Sequence, residues 1–262
     1  MAKYVYAIVR GAHAVDLGPI GIDNCRVYTI PCQTISAVVH DCPPKPYQSS
    51  AEDVVKEWVK THQNVIEKAV ELFGLAIPMG FDTIVGSLNH ERSAEEALIS
   101  WLAQDHDRIL EVFQTIEGKD EYAVKVFYDR KALAEICSRE DETIRRMKEE
   151  IAGKSPGLAH MYRQKLEKVI KSKVDDYVSK KLEFLHAKIE ELADDVIVER
   201  AGKIDGDKVL LLNLSCLVKR TQVEALGEVL ETVGSIPGFS VHFSGPWPAY
   251  SFVAKISSPA PR

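Results

Sequence analysis

The sequence predicts an α+β fold in two domains. Segments rich in Val, Ile and Tyr, some strictly alternating apolar with polar residues, lie near both ends of the chain and are typical of strands. Segments with apolar residues three and four positions apart lie between them and are typical of helices. Residues 159–195 contain neither glycine nor proline, which favours one long helix. For a chain of 262 residues we expect an N-terminal domain over residues 1–128 and a C-terminal domain over residues 129–262.

The first forty residues have the composition of strands. Val, Ile and Tyr are concentrated in Lys3–Val9, Cys25–Ile30 and Thr34–His40. A further extended segment, Ile77–Val85, is interrupted by Pro78. Because Lys3–Val9 and Ile77–Val85 are short, we expect both to be edge strands of a mixed sheet.

Two helices are predicted in the N-terminal domain. Apolar residues recur at helical spacing over Ala51–Phe73, and Ser49-Ser50 is expected to cap the start of this helix. Ser93 and Glu96 have the spacing of a capping box. The helix that begins there is predicted to continue to Gly118.

The C-terminal domain is predicted to begin with a helical hairpin over residues 131–195. Lys131–Glu150 supplies its first helix and residues 159–195 its second. The second helix carries a heptad seam, which is expected to pack on the first helix as in a coiled coil. The seam residues are Val178, Leu182, Leu185, Ile189, Leu192 and Val196.

The apolar pattern changes to period two after the hairpin. Lys208–Arg220 is predicted as a buried strand, because alternate positions from Leu210 to Val218 are apolar. Thr221 is expected to cap a helix that ends at Val233. Further strands are expected at residues 239–244 and 251–256.

Charge and composition limit the classes of partner. The net charge of −6 and the pI of about 5.8 argue against nucleic acid, because phosphate binding needs a basic face. No segment approaches the ~20 consecutive apolar residues of a membrane helix. The five cysteines are odd in number and no secretory signal is recognised, so we expect reduced thiols in a cytoplasmic protein. Lys165, Lys168 and Lys171 are expected to form a solvated helix face, or alternatively a docking surface for an acidic partner.

No sequence motif indicates catalysis, a bound metal or a cofactor. The usual hydrolase, zinc-protease and dinucleotide motifs are absent, and the eight histidines do not cluster along the chain. Cys25, Cys32, His40 and Cys42 could supply four zinc ligands, but only His40 and Cys42 approach the usual ligand spacing. Packed thiols in strands are the favoured interpretation. An enzyme whose site is assembled from scattered histidines and carboxylates remains the alternative function.

The stretch Gly245-Pro-Trp-Pro-Ala-Tyr-Ser-Phe252 is the most unusual in the chain. Its two prolines fix the backbone, and its three aromatic side chains provide a large apolar area. We favour a turn that forms a rigid corner, with Trp247 and its neighbours filling the core between strands. The alternative is an aromatic anchor that Trp247 exposes to a partner.

Several segments together resemble the gas vesicle accessory proteins of the GvpF/GvpL family. They include Ile77-Pro-Met-Gly-Phe-Asp-Thr83, Leu212-Asn-Leu-Ser-Cys-Leu-Val218 and the Gly-Pro-Trp-Pro stretch, in the family's order over nearly the whole chain. The chain departs from the family at Gly80, which stands for an arginine, at Asp82, which stands for a glycine, and at Ala249, which stands for a proline. The motif residues that the resemblance marks are Pro78, Met79, Phe81, Thr83, Asn213, Gly245, Pro246, Trp247, Pro248, Tyr250 and Phe252.

The resemblance implies a non-enzymatic protein of gas vesicle formation. It implies association with the vesicle in the cytoplasm, and with its hydrophobic major shell protein and other accessory proteins as partners. It also implies a ferredoxin-like part, at about residues 207–256 of this chain, beside the helical hairpin. No cofactor is implied.

Overall fold

The chain forms two compact units. A computed structural model describes residues 1–87, 92–200 and 208–253. The first unit comprises Met1–Glu121 together with the segment that starts at Pro246, and the second comprises Tyr122–Gly245. This division differs from the expected boundary at residue 128 in two ways. Most of the strand that precedes residue 128 belongs to the second unit, and the chain returns to the first unit at Pro246. The α+β class is confirmed.

The first unit is built on an antiparallel sheet. Its strands have the order β2-β3-β4-β1-β5, and β6 also pairs with β1. Each of these pairs is antiparallel, so the expectation of a mixed sheet is wrong. The strands are β1 (Ala2–Arg10), β2 (Asp16–Gly18), β3 (Val27–Cys32), β4 (Ile35–Cys42), β5 (Ala76–Pro78) and β6 (Ile84–Val85).

Strand β1 lies inside this sheet. The expectation that Lys3–Val9 is an edge strand is therefore wrong. β4 pairs with one side of β1 from Ala2 to Arg10, and β5 and β6 pair with the other side. Every residue from Ala2 to Val9 is buried. Because successive side chains point to opposite faces, both faces of β1 are covered, and its almost unbroken apolar run is the sequence signal of that position.

Three helices cover the first sheet: α1 (Glu52–Phe73), α2 (Ala94–Gln104) and α3 (His106–Ile116). α1 packs on β1 and β5, α2 on β1 and β3, and α3 on β5. The predicted helix over Ala51–Phe73 is confirmed, and it ends where Gly74 adopts a φ of 78°. Its N-cap is Ala51 with no side-chain hydrogen bond, so the cap expected from Ser49-Ser50 is wrong.

The second predicted helix of this unit is two helices. The capping box of Ser93 and Glu96 is present at the start of α2. Asp105 then leaves helical geometry, with φ −96° and ψ 10°, and it is both the last cap of α2 and the first cap of α3. The apolar face continues across this break, which is why helical periodicity alone predicts a single helix.

The second unit has a ferredoxin-like topology. Its strands are β7 (Lys119–Asp129), β8 (Asp195–Val198), β9 (Lys208–Lys219) and β10 (Phe239–Trp247), and their order is β10-β7-β9-β8. The first and third strands are therefore central, as in the β-α-β-β-α-β arrangement. Its helices are α4 (Arg130–Glu140), α5 (Glu142–Ala152), α6 (Pro156–Leu192) and α7 (Val223–Gly234).

The ferredoxin-like part is larger than the expected residues 207–256. β7 lies between β9 and β10, so the motif begins at Lys119 and its first crossover is the whole helical segment α4–α6. The predicted period-two strand is confirmed as β9, in which Leu212, Leu214, Cys216 and Val218 belong to the core. α7 is capped by Gln222, so Thr221 is not the cap.

The long helix α6 packs in two parts. Its first half forms a small cluster with α5, through Ile151 and Leu166 among others. Its second half packs on the sheet, where Val178, Leu185 and Ile189 are buried in the core of the second unit. The apolar residues of α6 are thus covered by the sheet and by helices together, and not by the Lys131–Glu150 helix alone as expected. That segment is in fact α4 and α5, which are separated at Asp141. Val196, the last residue of the predicted seam, lies on β8, because α6 ends at Leu192.

We expect the double substitution Leu185→Asp and Ile189→Asp to unfold the second unit. Both side chains are at most 1% exposed, and an unpaired buried charge costs several kcal/mol. Circular dichroism melting curves measure the loss. Lys168→Asp with Ser172→Asp is the matched control, because these positions lie on the exposed face of the same helix. Equal melting temperatures for the two double variants would contradict the assignment of the seam.

Candidate functional site

A cluster of tyrosine and histidine rings forms the polar centre of the first unit. Tyr4 and Tyr6 project from β1, His40 from β4 and His62 from α1, and Tyr47 follows β4 in the chain. The ring centroids of Tyr4 and Tyr6 are 4.8 Å apart, and the Tyr4 ring stacks on His40 at 5.0 Å. The first four side chains are at most 3% exposed, so each of their polar atoms needs a partner within the protein.

Hydrogen bonds define the protonation of His62. Its Nε2 lies 3.1 Å from the carbonyl oxygen of Met79, which can only accept, so Nε2 carries the proton. Nδ1 then accepts from the hydroxyl of Tyr4 at 2.9 Å. The hydroxyl oxygen of Tyr4 in turn accepts the backbone N–H of Asp82 at 3.1 Å. The imidazole therefore connects β1, α1 and the loop after β5.

A second chain of hydrogen bonds passes through His40. The hydroxyl oxygen of Tyr6 accepts the backbone N–H of Ile22 at 2.9 Å and lies 2.8 Å from His40 Nδ1. Nε2 of His40 lies 2.9 Å from the hydroxyl oxygen of Tyr47, so one ring nitrogen of the neutral imidazole donates to a tyrosine oxygen and the other accepts from a tyrosine O–H. Among the described residues, no buried side-chain nitrogen or oxygen lacks a hydrogen-bond partner.

Burial keeps both imidazoles neutral. It lowers the pKa of His40, and likewise the pKa of His62, from 6.5 to about 4. Burial also raises the pKa values of Tyr4 and Tyr6 above their ordinary value. At neutral pH the cluster thus holds no charge and no group prepared to exchange a proton with a substrate. The arrangement is suited to fixing three chain segments together.

The family-motif segment around residues 78–83 is part of this cluster. Pro78 ends β5, and Met79 is buried with its carbonyl oxygen on His62. Phe81 contacts the rings of Tyr4 and His62 edge-on. The Thr83 hydroxyl closes the loop by donating to the carbonyl oxygen of Gly80 at 2.7 Å.

The C-terminal motif is only partly a core element. β10 continues through Gly245, Pro246 and Trp247, so the turn begins at Pro248 and not at Gly245. Trp247 is 46% exposed, so the expectation that it fills the core is wrong. β10 is an edge strand, a position that tolerates proline, and the Trp247 side chain on it lies outside the buried core.

The residues after Trp247 supply the core contacts instead. Ala249 and Phe252 are buried, and Tyr250 packs on the core of the first unit while its hydroxyl donates to the Gln63 side chain at 3.1 Å. The backbone N–H and the hydroxyl of Ser251 both donate to the buried carboxylate of Glu121. Tyr250–Phe252 is a short 3-10 helix and not the start of a strand, and residues 254–256 of that expected strand lie outside the described residues.

The other residues that the sequence singled out, as motif residues or as possible zinc ligands, either lie apart from the cluster or have their hydrogen bonds within it. Asn213 lies on β9, and its amide donates to the carbonyl oxygen of Arg200 at 2.8 Å. Cys32 and Cys42 are buried, and burial raises the pKa of Cys42 to about 11. His40 uses both ring nitrogens on tyrosines. Within the described ranges no group of three or more His, Cys, Asp or Glu side chains is placed to hold a metal ion.

Sequence reasoning missed that His40 and His62 lie against the same two tyrosines, Tyr4 and Tyr6. A signal for the burial of His62 was present, because it shares its helix face with Val65, Ile66 and Ala69. No signal placed it against the same tyrosines as His40, which is 22 positions earlier and on a strand.

Comparison with known proteins gives the family. A sequence model described as "Gas vesicle synthesis protein GvpL/GvpF" matches residues 2–254. The chain belongs to this family. Gas vesicle protein L2 of Halobacterium salinarum is 26% identical over 99% of this chain and 94% of its own length. Gas vesicle protein F of a Streptomyces species is 26% identical over 97% of this chain and 100% of its own.

Solved structures of GvpF share the fold. The crystal structure of GvpF from Anabaena sp. matches with a TM-score of 0.70 and 18% identity, covering 96% of this chain and 98% of that one. GvpF from Microcystis aeruginosa matches with a TM-score of 0.63 and 16% identity over the same shares.

One departure from the GvpF/GvpL pattern has a structural explanation. Asp82, where the family usually has glycine, adopts a φ of 66°. This left-handed conformation is open to glycine and disfavoured for most other residues, although aspartate tolerates it better than most. Here the Asp82 carboxylate accepts the backbone N–H of Tyr47 at 3.0 Å, a contact that glycine could not make.

The neutral histidines predict a loss of stability in mild acid. The unfolded chain takes up these protons near pH 6.5 and the folded protein only near pH 4, so the stabilisation is complete above pH 6.5 and decreases as the pH falls towards 4. The free energy of unfolding should decrease by about 3 kcal/mol for each histidine. Urea unfolding at a series of pH values measures it. His62→Gln should reduce this slope, whereas His186→Gln, on an exposed helix face, should keep it; a stability independent of pH over this range would contradict the assignment.

The C-terminal motif predicts unequal effects for its aromatic residues. Phe252→Ala should lower the stability by about 3–5 kcal/mol, since Phe252 is 6% exposed. Trp247→Ala should cost less than about 1 kcal/mol, since that side chain is half-exposed. Thermal melting of the two variants side by side tests the contrast, and a larger loss for Trp247→Ala would restore the core interpretation of that residue.

Proposed function

We propose that this protein is a non-enzymatic accessory protein that binds the hydrophobic major shell protein while a gas vesicle nucleates and assembles, as an accessory or minor structural component. The observation that carries the proposal is the match to the GvpL/GvpF family over residues 2–254, which includes both units. Its place of action would be the cytoplasm and the vesicle, with other accessory proteins as further partners. Among the residues that the structure describes, no helix has both the length and the apolar character needed to cross a membrane.

The chemistry of the buried cluster supports a binding role over an enzymatic one. His40 and His62 are the histidines that the fold brings together, and each has both ring nitrogens engaged with protein atoms. A general acid or base must reach a substrate and have a pKa near the working pH. A pKa of about 4 and complete burial do not meet either condition.

Binding of a shell subunit would rest on apolar contact. An apolar subunit in water gains about 25 cal/mol for each Å² that a partner covers. Strand addition at the β5–β6 edge would offer few hydrogen bonds, because these strands have three and two residues. We therefore place the contact on apolar side chains of the first unit, with Lys165, Lys168 and Lys171 of α6 as the competing electrostatic site.

Deletion of the gene in a vesicle-forming host tests the role in formation. Electron microscopy should show no vesicles, or few and malformed ones, and the intact gene supplied in trans should restore them. Normal vesicles in the deletion strain would contradict the proposed function.

Co-purification tests the mode of binding. The full-length chain should retain the major shell protein at both low and high salt, since salt screens charges but not apolar contact. The triple variant Lys165→Glu, Lys168→Glu and Lys171→Glu should retain it equally. Loss of the shell protein at high salt, or in this variant, would move the binding site to α6.

A further inference from the structure

A groove in the first unit has the lining of a peptide-binding site. It has a volume of about 580 Å³ and is lined by Pro43, Pro46, Tyr47, Trp58, Asp23 and Cys25, among others. A second groove of about 410 Å³ shares Trp58 and Asp23 with the first and is also lined by Glu57. Ligand sites in proteins commonly have volumes of about 300–1,000 Å³.

The aromatic wall of the groove is held in place before any ligand arrives. The rings of Tyr47 and Trp58 meet edge-on, with centroids 5.2 Å apart. The indole N–H of Trp58 donates to the Asp23 carboxylate at 2.9 Å, and the backbone N–H of Tyr47 donates to Asp82 at 3.0 Å. A wall that is already ordered loses little conformational entropy on binding.

The hydrogen-bond chain through His40 orients a donor for the groove. In the tautomer of His40 whose Nε2 donates to the hydroxyl oxygen of Tyr47, the hydroxyl proton of Tyr47 is directed away from the imidazole. A lining residue thus presents an O–H group for a carbonyl oxygen of a ligand.

Two carboxylates and one lysine line the two grooves around Trp58. The carboxylates are those of Asp23 and Glu57, and Lys45 lies at one side of the larger groove. The carboxylate of Asp23 has a second oxygen besides the one that accepts from Trp58. A ligand cation next to Trp58 would be attracted by Asp23 and by the face of the indole ring.

These features match one kind of partner. A polyproline II segment has no internal hydrogen bonds, so its carbonyl oxygens need donors, and its proline rings pack on aromatic side chains. We propose that this groove binds an extended, proline-containing segment of a protein partner, with an arginine or lysine of that segment next to Asp23. The inference goes beyond the proposed function and does not depend on it.

The experiment measures the binding of a synthetic peptide, acetyl-Pro-Pro-Leu-Pro-Pro-Arg-amide, to the full-length protein. Isothermal titration should give a dissociation constant below about 1 mM. Saturating peptide should also slow the alkylation of Cys25, which lines the groove. Cys137, which is also half-buried but lies in the second unit, is the internal control and should react at an unchanged rate.

Two variants separate the charge from the donor. Asp23→Asn keeps an acceptor for Trp58 and tolerates the left-handed φ of 53°, yet it should weaken binding about tenfold by removing the charge. Tyr47→Phe keeps the ring and should also weaken binding, after a melting curve has shown that the variant is folded.

Control peptides define the occupant. Replacement of the peptide's arginine by glutamate, or of its prolines by alanine, should each reduce affinity about tenfold or more. Equal binding of the alanine peptide would show that the groove takes a helix or any apolar segment. No protection of Cys25 by the proline peptide, or unchanged affinity in the Asp23→Asn variant, would overturn the proposal.

Discussion

The first unit depends on the need to satisfy polar groups that are buried at its centre. Tyr4 and Tyr6 place two hydroxyl groups under α1. Both residues lie on β1, which is covered on both faces. A buried hydroxyl without a hydrogen bond costs a few kcal/mol, so each one requires a partner at a fixed place. His62 and His40 provide those partners, and the carbonyl oxygen of Met79 fixes the tautomer of His62.

This constraint reaches well beyond the cluster. His62 binds the carbonyl oxygen of Met79, and the Tyr4 hydroxyl binds the N–H of Asp82, so the loop after β5 is held by side chains of α1 and β1. The conformation of Gly80-Phe81-Asp82, which departs from the family pattern at Gly80 and Asp82, therefore follows from hydrogen bonds of the loop backbone to a buried ring cluster. Charging His62 would place a proton on Nδ1, which could then no longer accept the hydroxyl proton of Tyr4.

The second unit is organised by a different constraint, the position of β7. With β7 between β9 and β10, the apolar face formed by Tyr122, Val124, Val126 and Tyr128 lies at the middle of the sheet. The second half of α6 covers this face together with α7, which explains the long apolar seam of α6. The first half of α6 has α5 as its partner and remains rich in exposed lysines. One helix thus serves both as part of the core and as a charged surface.

Membership of the GvpF/GvpL family is consistent with this architecture. The match to the crystal structure of GvpF from Anabaena sp. at 18% identity shows that the fold persists at low sequence identity. The half-exposed Trp247 and the rigid wall of Tyr47 and Trp58 are the features of this chain that suit contact with other proteins.

The sequence by itself determined the α+β class, the helix α1, the capping box of α2, most of α6 and the period-two face of β9. These are local properties, since a side-chain period of 3.6 or 2 states which positions are buried. Only the tertiary structure decided that β1 is an inner strand, that β7 lies between β9 and β10, that His40 and His62 lie against the same two tyrosines and that Trp247 is half-exposed. Periodicity states that a residue is buried but not against what, and pairing between distant segments depends on how the whole core closes.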